Sequence, residues 1–193
     1  DQWHEPITDI TINFLQHEMI KLSNGNYMGF VPDTIDHFVP NSDDYPQVPS
    51  ENDFSFENNF PGFGDFPYPW KWKGENIVEW DSEGNEIWSW SPFDTSYGYN
   101  LHDFDYINNF WEETQSNPDK PPFDWTHFNA LAYDENDSVV YVSSKNLSRI
   151  TKIDYITKEI IWNMGKQWLG DPTIRPDTLF SVQHGLRILE NGN

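Results

Sequence analysis

Three histidines stand at one fixed distance from a turn. His17 precedes Asn24 by seven residues, His127 precedes Asp134 by seven, and His184 precedes Asn191 by seven. One such spacing is cheap, but three at the same offset mark an internal repeat whose unit opens on a histidine. The segments around them read as β-hairpins. Glu18–Leu22 and Tyr27–Val31 flank Ser23-Asn24-Gly25-Asn26, a tight-turn sequence. Further hairpins are expected at about 76–90, 130–143 and 149–163, with a fifth opening at about 186–193. The 76–90 hairpin alternates at period two on both arms, the spacing of half-buried strands.

Hairpins in series without helix signals between them indicate an all-β sandwich, barrel or propeller. Their order selects the propeller. A histidine-led hairpin is twice followed by one ending in an aromatic strand, Ile87-Trp88-Ser89-Trp90 and Ile160-Ile161-Trp162. Such a pair makes four strands, which is one blade. The chain then holds about two blades and the start of a third. The first strand of each blade lines the central channel, so the three histidines should converge on the propeller axis. Two long irregular insertions, about 32–74 and 91–124, separate the hairpins. The aromatics of the first (Phe54, Phe56, Phe60, Phe63, Phe66, Tyr68, Trp70) favour packed excursions over disorder. They serve either as lids or as cover for a propeller face or another subunit.

Composition narrows the function. The 193 residues suit one domain with a sizeable core, and 17% aromatic content with 10 Trp argues for a folded chain. The net charge of −21, from 32 acidic against 11 basic residues, opposes nucleic acid or an anionic membrane as partner. Any site for an anionic small molecule must then be a local positive island. With no cysteine there is no disulfide, thiolate metal site or cysteine nucleophile. No apolar run is long enough to span a membrane as a helix. Arg187–Asn193 reads as a strand entering an Asn-Gly turn whose return strand is missing. Residues 1–193 are therefore read as part of a β-propeller domain, a piece of a longer chain.

The motifs resemble those of a known family. Asp124-Trp125-Thr126-His127-Phe128-Asn129-Ala130 resembles the D-W-x-H-x-N-S segment of arylsulfate sulfotransferases, and Val142-Ser143-Ser144-Lys145-Asn146 their S-S-R segment. Lys158-Glu159-Ile160-Ile161-Trp162-Asn163-Met164-Gly165 is similar to their G-x-I-x-W-x-x-G hairpin. Phe180-Ser181-Val182-Gln183-His184-Gly185 resembles F-x-x-Q-H-[DG], and Gln16-His17-Glu18 with Leu22–Tyr27 the start of an earlier blade. The match runs discontinuously from Gln16 to the end of the chain, in the family's order.

The resemblance implies a six-bladed propeller, periplasmic or secreted. It implies transfer of a sulfuryl group from a phenolic sulfate ester to another phenol, with no phosphoadenosine cofactor, through a covalent sulfohistidine. His184 matches the nucleophile, and His17 and His127 the supporting histidines. Lys145 stands where the family has Arg; it keeps the charge but loses the planar fork that grips an oxyanion with two hydrogen bonds. Asn129 and Gln183, within the matched motifs, are candidates for substrate contact. So is Arg149, four residues beyond Lys145 and on the same strand face if the strand is unbroken.

These residue types suit the chemistry. A largely neutral imidazole attacks readily near pH 7. Lys145 and the other histidines can offset charge on the sulfuryl oxygens, and either His127 or His17 can protonate the departing phenolate. Other readings stay open at this point. Each histidine can be a structural hydrogen-bonder, and three on an axis can bind a metal, although no His-Glu-x-x-His spacing supports one. The fold can also serve as a non-catalytic extracellular binding or assembly module. No metal ligand or cofactor is assigned, oligomerisation is left open, and His4, His37 and His102 receive no role.

Overall fold

The structure, a computed structural model, describes residues 16–39, 68–101, 103, 123–165, 174–176 and 180–189. Among them are ten strands and no helix. The first sheet is a meander of β1 (Gln16–Lys21), β2 (Tyr27–Val39), β3 (Tyr68–Trp80) and β4 (Glu86–Trp90), each antiparallel to the next. A short β5 (Phe123–Asp124) joins β3 in parallel. The second sheet repeats the plan with β6 (Phe128–Asp134), β7 (Val139–Ser144), β8 (Arg149–Asp154) and β9 (Ile160–Gly165). Here β10 (Ile174–Pro176) lies parallel to β9. The architecture is all-β, two four-stranded meanders consistent with part of a propeller.

Turn chemistry sets the hairpins. Gly25 adopts φ 92°, which a side chain would resist, and Leu22 accepts its N–H at 3.1 Å. The Asp81 carboxylate accepts the N–H groups of Glu83 and Asn85, both at 2.9 Å. Asp154 does the same for Ile156 and Thr157. These aspartates satisfy backbone donors that the turn leaves unpaired.

The strands differ from the sequence expectation at the first insertion. Both arms of the β2–β3 hairpin run thirteen residues, so the outer parts of the 32–74 stretch are strand rather than irregular. Pro32 obscures this in the sequence. Among the described residues β1 pairs along β2 no further than Phe30, leaving Pro32 on an edge, where a missing N–H is tolerated. Further out, Ile35 faces Trp72 in the register, and Lys71 pairs with Asp36 at 2.8 Å. Phe54, Phe56, Phe60, Phe63 and Phe66 lie outside the described residues. At the fifth expected hairpin, Leu186–Leu189 form no strand, and residues 190–193 lie outside the described set.

One aromatic core lies between the sheets. Phe30, Trp72 and Trp90 from the first sheet, and Phe128, Val142 and Ile153 from the second, are all fully buried. The start of the second insertion feeds the same core. Gly98 and Tyr99 donate back to Asp94 and Pro92, and the fold brings the Tyr99 ring 5.5 Å from Trp90 and 6.0 Å from Phe128. The indoles of Trp88 and Trp90 reach across to the β8–β9 turn, donating to the carbonyls of Tyr155 (2.8 Å) and Lys158 (3.0 Å). A buried indole keeps its N–H satisfied this way.

Gly165, which closes the I-x-W-x-x-G match, sits where chains touch. It has φ 129°, and a Cβ there would stand 2.1 Å from the Ser148 carbonyl oxygen. Gly165→Ala should therefore lower stability by about 3 kcal/mol, since backbone cannot move aside as a flexible side chain would. Chemical denaturation of the two proteins measures this, and equal midpoints would refute it.

Candidate functional site

A six-residue strip, residues 123–128, joins the two sheets and carries His127. On the first sheet, Phe123 and Asp124 lie beside Trp72 and Lys73, and the Trp125 N–H donates to the Lys73 carbonyl at 2.8 Å. Glu75, 1% exposed, then takes two bonds on a single oxygen, from Thr126 Oγ1 (2.7 Å) and the Phe128 N–H (2.8 Å). Gly74 permits this approach, because a Cβ there would lie 3.1 Å from Thr126 Oγ1 and 2.9 Å from the Phe93 ring. On the second sheet, Ser144 Oγ donates to the Thr126 carbonyl (2.5 Å) and the Lys145 N–H to the His127 carbonyl (3.1 Å). Asn146 Nδ2 donates to the Asp124 carbonyl (2.6 Å).

The three repeat histidines meet beside this strip. The His127 ring centroid is 5.0 Å from that of His17 and 6.0 Å from that of His184. His17 and His184 are exposed, while His127, between them, is mostly buried. His17 and His127 adopt φ 62° and 48°, left-handed values uncommon for residues with a Cβ, and β-strand pairing is interrupted just after each. The chain before His184 is bent by Val182 at φ 46° and the chain after it by Gly185 at φ 115°.

Each sequence-selected residue has a defined place. Gln183 fastens the His184 segment to the second sheet, its Nε2 lying 3.0 Å from Ser143 Oγ, 3.1 Å from the Ser144 carbonyl and 3.0 Å from that of Arg149. Asn129 Nδ2 donates to the Gln183 carbonyl at 2.7 Å, linking the His127 and His184 segments. Lys145 stands in the turn after β7, near enough for its charge to act on His127. Arg149 takes a different place from the one expected. Residues 145–148 are a turn, so the strand is broken and the two cations do not share a face. The Arg149 guanidinium is fully buried, paired with Asp103 at 2.8 Å and 4.8 Å from the Tyr99 ring centroid. It holds the interior of the second sheet.

Electrostatics separate the histidines. Burial pulls His127 down, but its hydrogen bond to Asp124 (Nδ1 to Oδ2, 2.5 Å) and the Asp124 and Glu75 charges outweigh that, despite Lys145. The net shift is upward. His17 moves the other way, lowered first by burial and then by the charges of His127, His184 and Lys73 against Asp124. Opposite shifts in neighbouring groups are the arrangement that divides acid from base roles. Burial also pushes Glu75 up to about 7, helped by the Asp124 charge and opposed by its two hydrogen bonds.

Three residues of this site carry no role in the sequence reading: Lys73, Glu75 and Asp124. Asp124 sits in the matched D-W-T-H motif, and its i,i+3 spacing to His127 was a signal open to use. Lys73 and Glu75 fall at the edge of the expected insertion, and no spacing ties them to His127. Among the described residues, no group of three or more His, Asp or Glu side chains has the geometry to hold a metal ion, and no helix is long and apolar enough to cross a membrane.

No curated protein matches the chain. The family model for arylsulfotransferase (ASST), however, matches residues 69–183, from the β3 arm that carries Lys73 and Glu75, through the His127 strip, to Gln183. The chain belongs to the arylsulfotransferase family.

Proposed function

We propose that this chain carries the transfer site of an aryl sulfotransferase, moving a sulfuryl group between phenols through His184 without a phosphoadenosine cofactor. Membership of the family points to aryl sulfotransfer in general. The observation that supports the finer reading is the meeting of His17, His127 and His184 within the fields of Lys73 and Lys145, two cations in a chain of net charge −21.

In the first half-reaction an imidazole nitrogen of His184 attacks sulfur, an N–S bond forms, and the S–O bond to the phenolate breaks. The raised pKa of His127 makes it the acid that gives the departing oxygen its proton. Asp124 holds the Nδ1 side of that ring, which directs Nε2 to the proton transfer. In the second half-reaction an acceptor phenol returns its proton to His127 and attacks sulfur, and the N–S bond breaks. His17, kept neutral by its lowered pKa, and the cations of Lys73 and Lys145 stabilise the sulfuryl oxygens. Asn129 and Gln183 act by fixing where His184 stands.

In the full-length protein, p-nitrophenyl sulfate without acceptor should add one sulfuryl mass to His184. His184→Ala should abolish both that adduct and nitrophenolate release; equal release by the two proteins would remove His184 as nucleophile.

The acid role of His127 has a separate signature. His127→Ala should slow transfer from phenyl sulfate by about 100-fold or more, the scale of a lost general acid. The loss with p-nitrophenyl sulfate should be smaller, because its better leaving group needs less protonation. Equal losses on both donors would assign the proton elsewhere.

A further inference from the structure

The strip that carries His127 is held from behind by a carboxylate that touches no exposed part of the site. We infer that Glu75 is a positioning residue for His127, gripping the chain on both sides of it through one carboxylate oxygen; this rests on the proposed role of His127. The Thr126 hydroxyl and the Phe128 N–H, either side of His127, converge on Glu75 Oε2 at 2.7 and 2.8 Å. Between them His127 holds φ 48°, a backbone state that costs about 1–3 kcal/mol and persists only where its surroundings enforce it. Gly74 lets β3 come close enough, and the Lys73 carbonyl adds the bond to the Trp125 N–H. Glu75 thus sets the backbone, and Asp124 sets the ring.

Glu75 also acts on His127 as a charge. Among the described residues, the ionisable groups around His127 include Asp124 on β5, Glu75 on β3, Lys145 in the turn after β7, and His17 and His184 on their own segments. Of these, Asp124 and Glu75 favour the imidazolium, and Lys145 opposes it. Ionising Glu75, which burial holds protonated up to about pH 7, would therefore raise His127 further.

Two substitutions separate the grip from the charge. Glu75→Gln keeps an oxygen able to accept both hydrogen bonds, and Glu75→Ala removes it. In the full-length protein, we expect Glu75→Gln to keep transfer within about threefold of wild type at the optimum, with its alkaline limb moved to lower pH. Glu75→Ala should lose about 100-fold, the scale of a catalytic group displaced by an ångström.

Imidazole NMR supplies a readout independent of activity. The His127 pKa should fall modestly in Glu75→Gln, with Nδ1 still protonated, and its signal should lose that fixed tautomer in Glu75→Ala. Stability should follow the Glu75 titration as well. A carboxyl whose folded pKa is raised from 4.5 to about 7 contributes stability below pH 4.5 that is lost as pH rises through 7. The melting temperature of Glu75→Gln minus that of wild type should therefore climb between pH 5 and pH 8.

Wild-type transfer in Glu75→Ala, beside a His127→Ala control that has lost it, would overturn the inference. So would a His127 titration unchanged in both variants, or a Glu75→Gln protein as impaired as Glu75→Ala. A wild-type protein that transfers nothing would refute the functional reading alone, leaving the NMR result to decide the role of Glu75.

Discussion

Glu75 is 1% exposed in a core made largely of aromatic rings, and the arrangement of both sheets depends on the two donors it accepts. An unpaired carboxyl there would be costly, because burial removes water without replacing it. The donors come from residues 126 and 128, which belong to the strip entering the second sheet. Satisfying Glu75 therefore fastens the sheets together at a single register. The aromatic contacts are less selective: Trp72 against Trp125 at 5.5 Å and Phe30 against Phe128 at 5.7 Å would tolerate small slips. The directional bonds of Glu75 and the Lys73 carbonyl do not, so apolar burial supplies the attraction and these bonds supply the position.

The same carboxylates shape the local field. A chain of charge −21 repels anions at long range, and salt screens that repulsion beyond about 8 Å at physiological ionic strength. Close to the histidines the near field governs. There the negative groups, Glu75 and Asp124, are buried, while the charge of Lys73 acts on His17 and that of Lys145 on His127. The acids stabilise a proton on His127 against the charge of Lys145, and Lys73 opposes one on His17. The two histidines are shifted in opposite directions, on rings 5.0 Å apart.

Much of this was legible in the sequence, for a physical reason. Turn residues and period-two alternation act locally, so the hairpins around Asn24-Gly25, Asp81, Asp134 and Asp154 could be placed without tertiary knowledge. The seven-residue offset pointed to the meeting of His17 and His127 because each leads an equivalent hairpin, β1–β2 and β6–β7. What stayed hidden is non-local. Glu75 bonds residues more than fifty positions away, and nothing about its immediate neighbours foretells them. Pro32 hid the length of β2, since a proline on an edge and a proline in a loop look alike in sequence. Arg149 would share a face with Lys145 only on an unbroken strand; a turn intervenes, and the cation lies against Asp103 and Tyr99.

The backbone at the histidines links these levels. A regular strand would alternate its side chains between two faces, and rings from different sheets would not readily meet at 5–6 Å. At His17 and His127 the chain leaves the strand geometry, each residue turning left-handed where pairing with the neighbouring strand breaks. Val182, in a bend before His184, is left-handed too, and a β-branched residue resists that state most of all. At two of the three, contact from other segments holds the chain. For His127 this is Glu75 and Asp124. For the His184 segment it is the Ser148 hydroxyl, which accepts the Val182 N–H at 3.0 Å, together with the amides of Gln183 and Asn129. Position at this site is therefore a property of buried and half-buried polar groups that hold the backbone and, at His127, the ring itself. Substitutions there should move the histidines more than substitutions on the exposed face beside them.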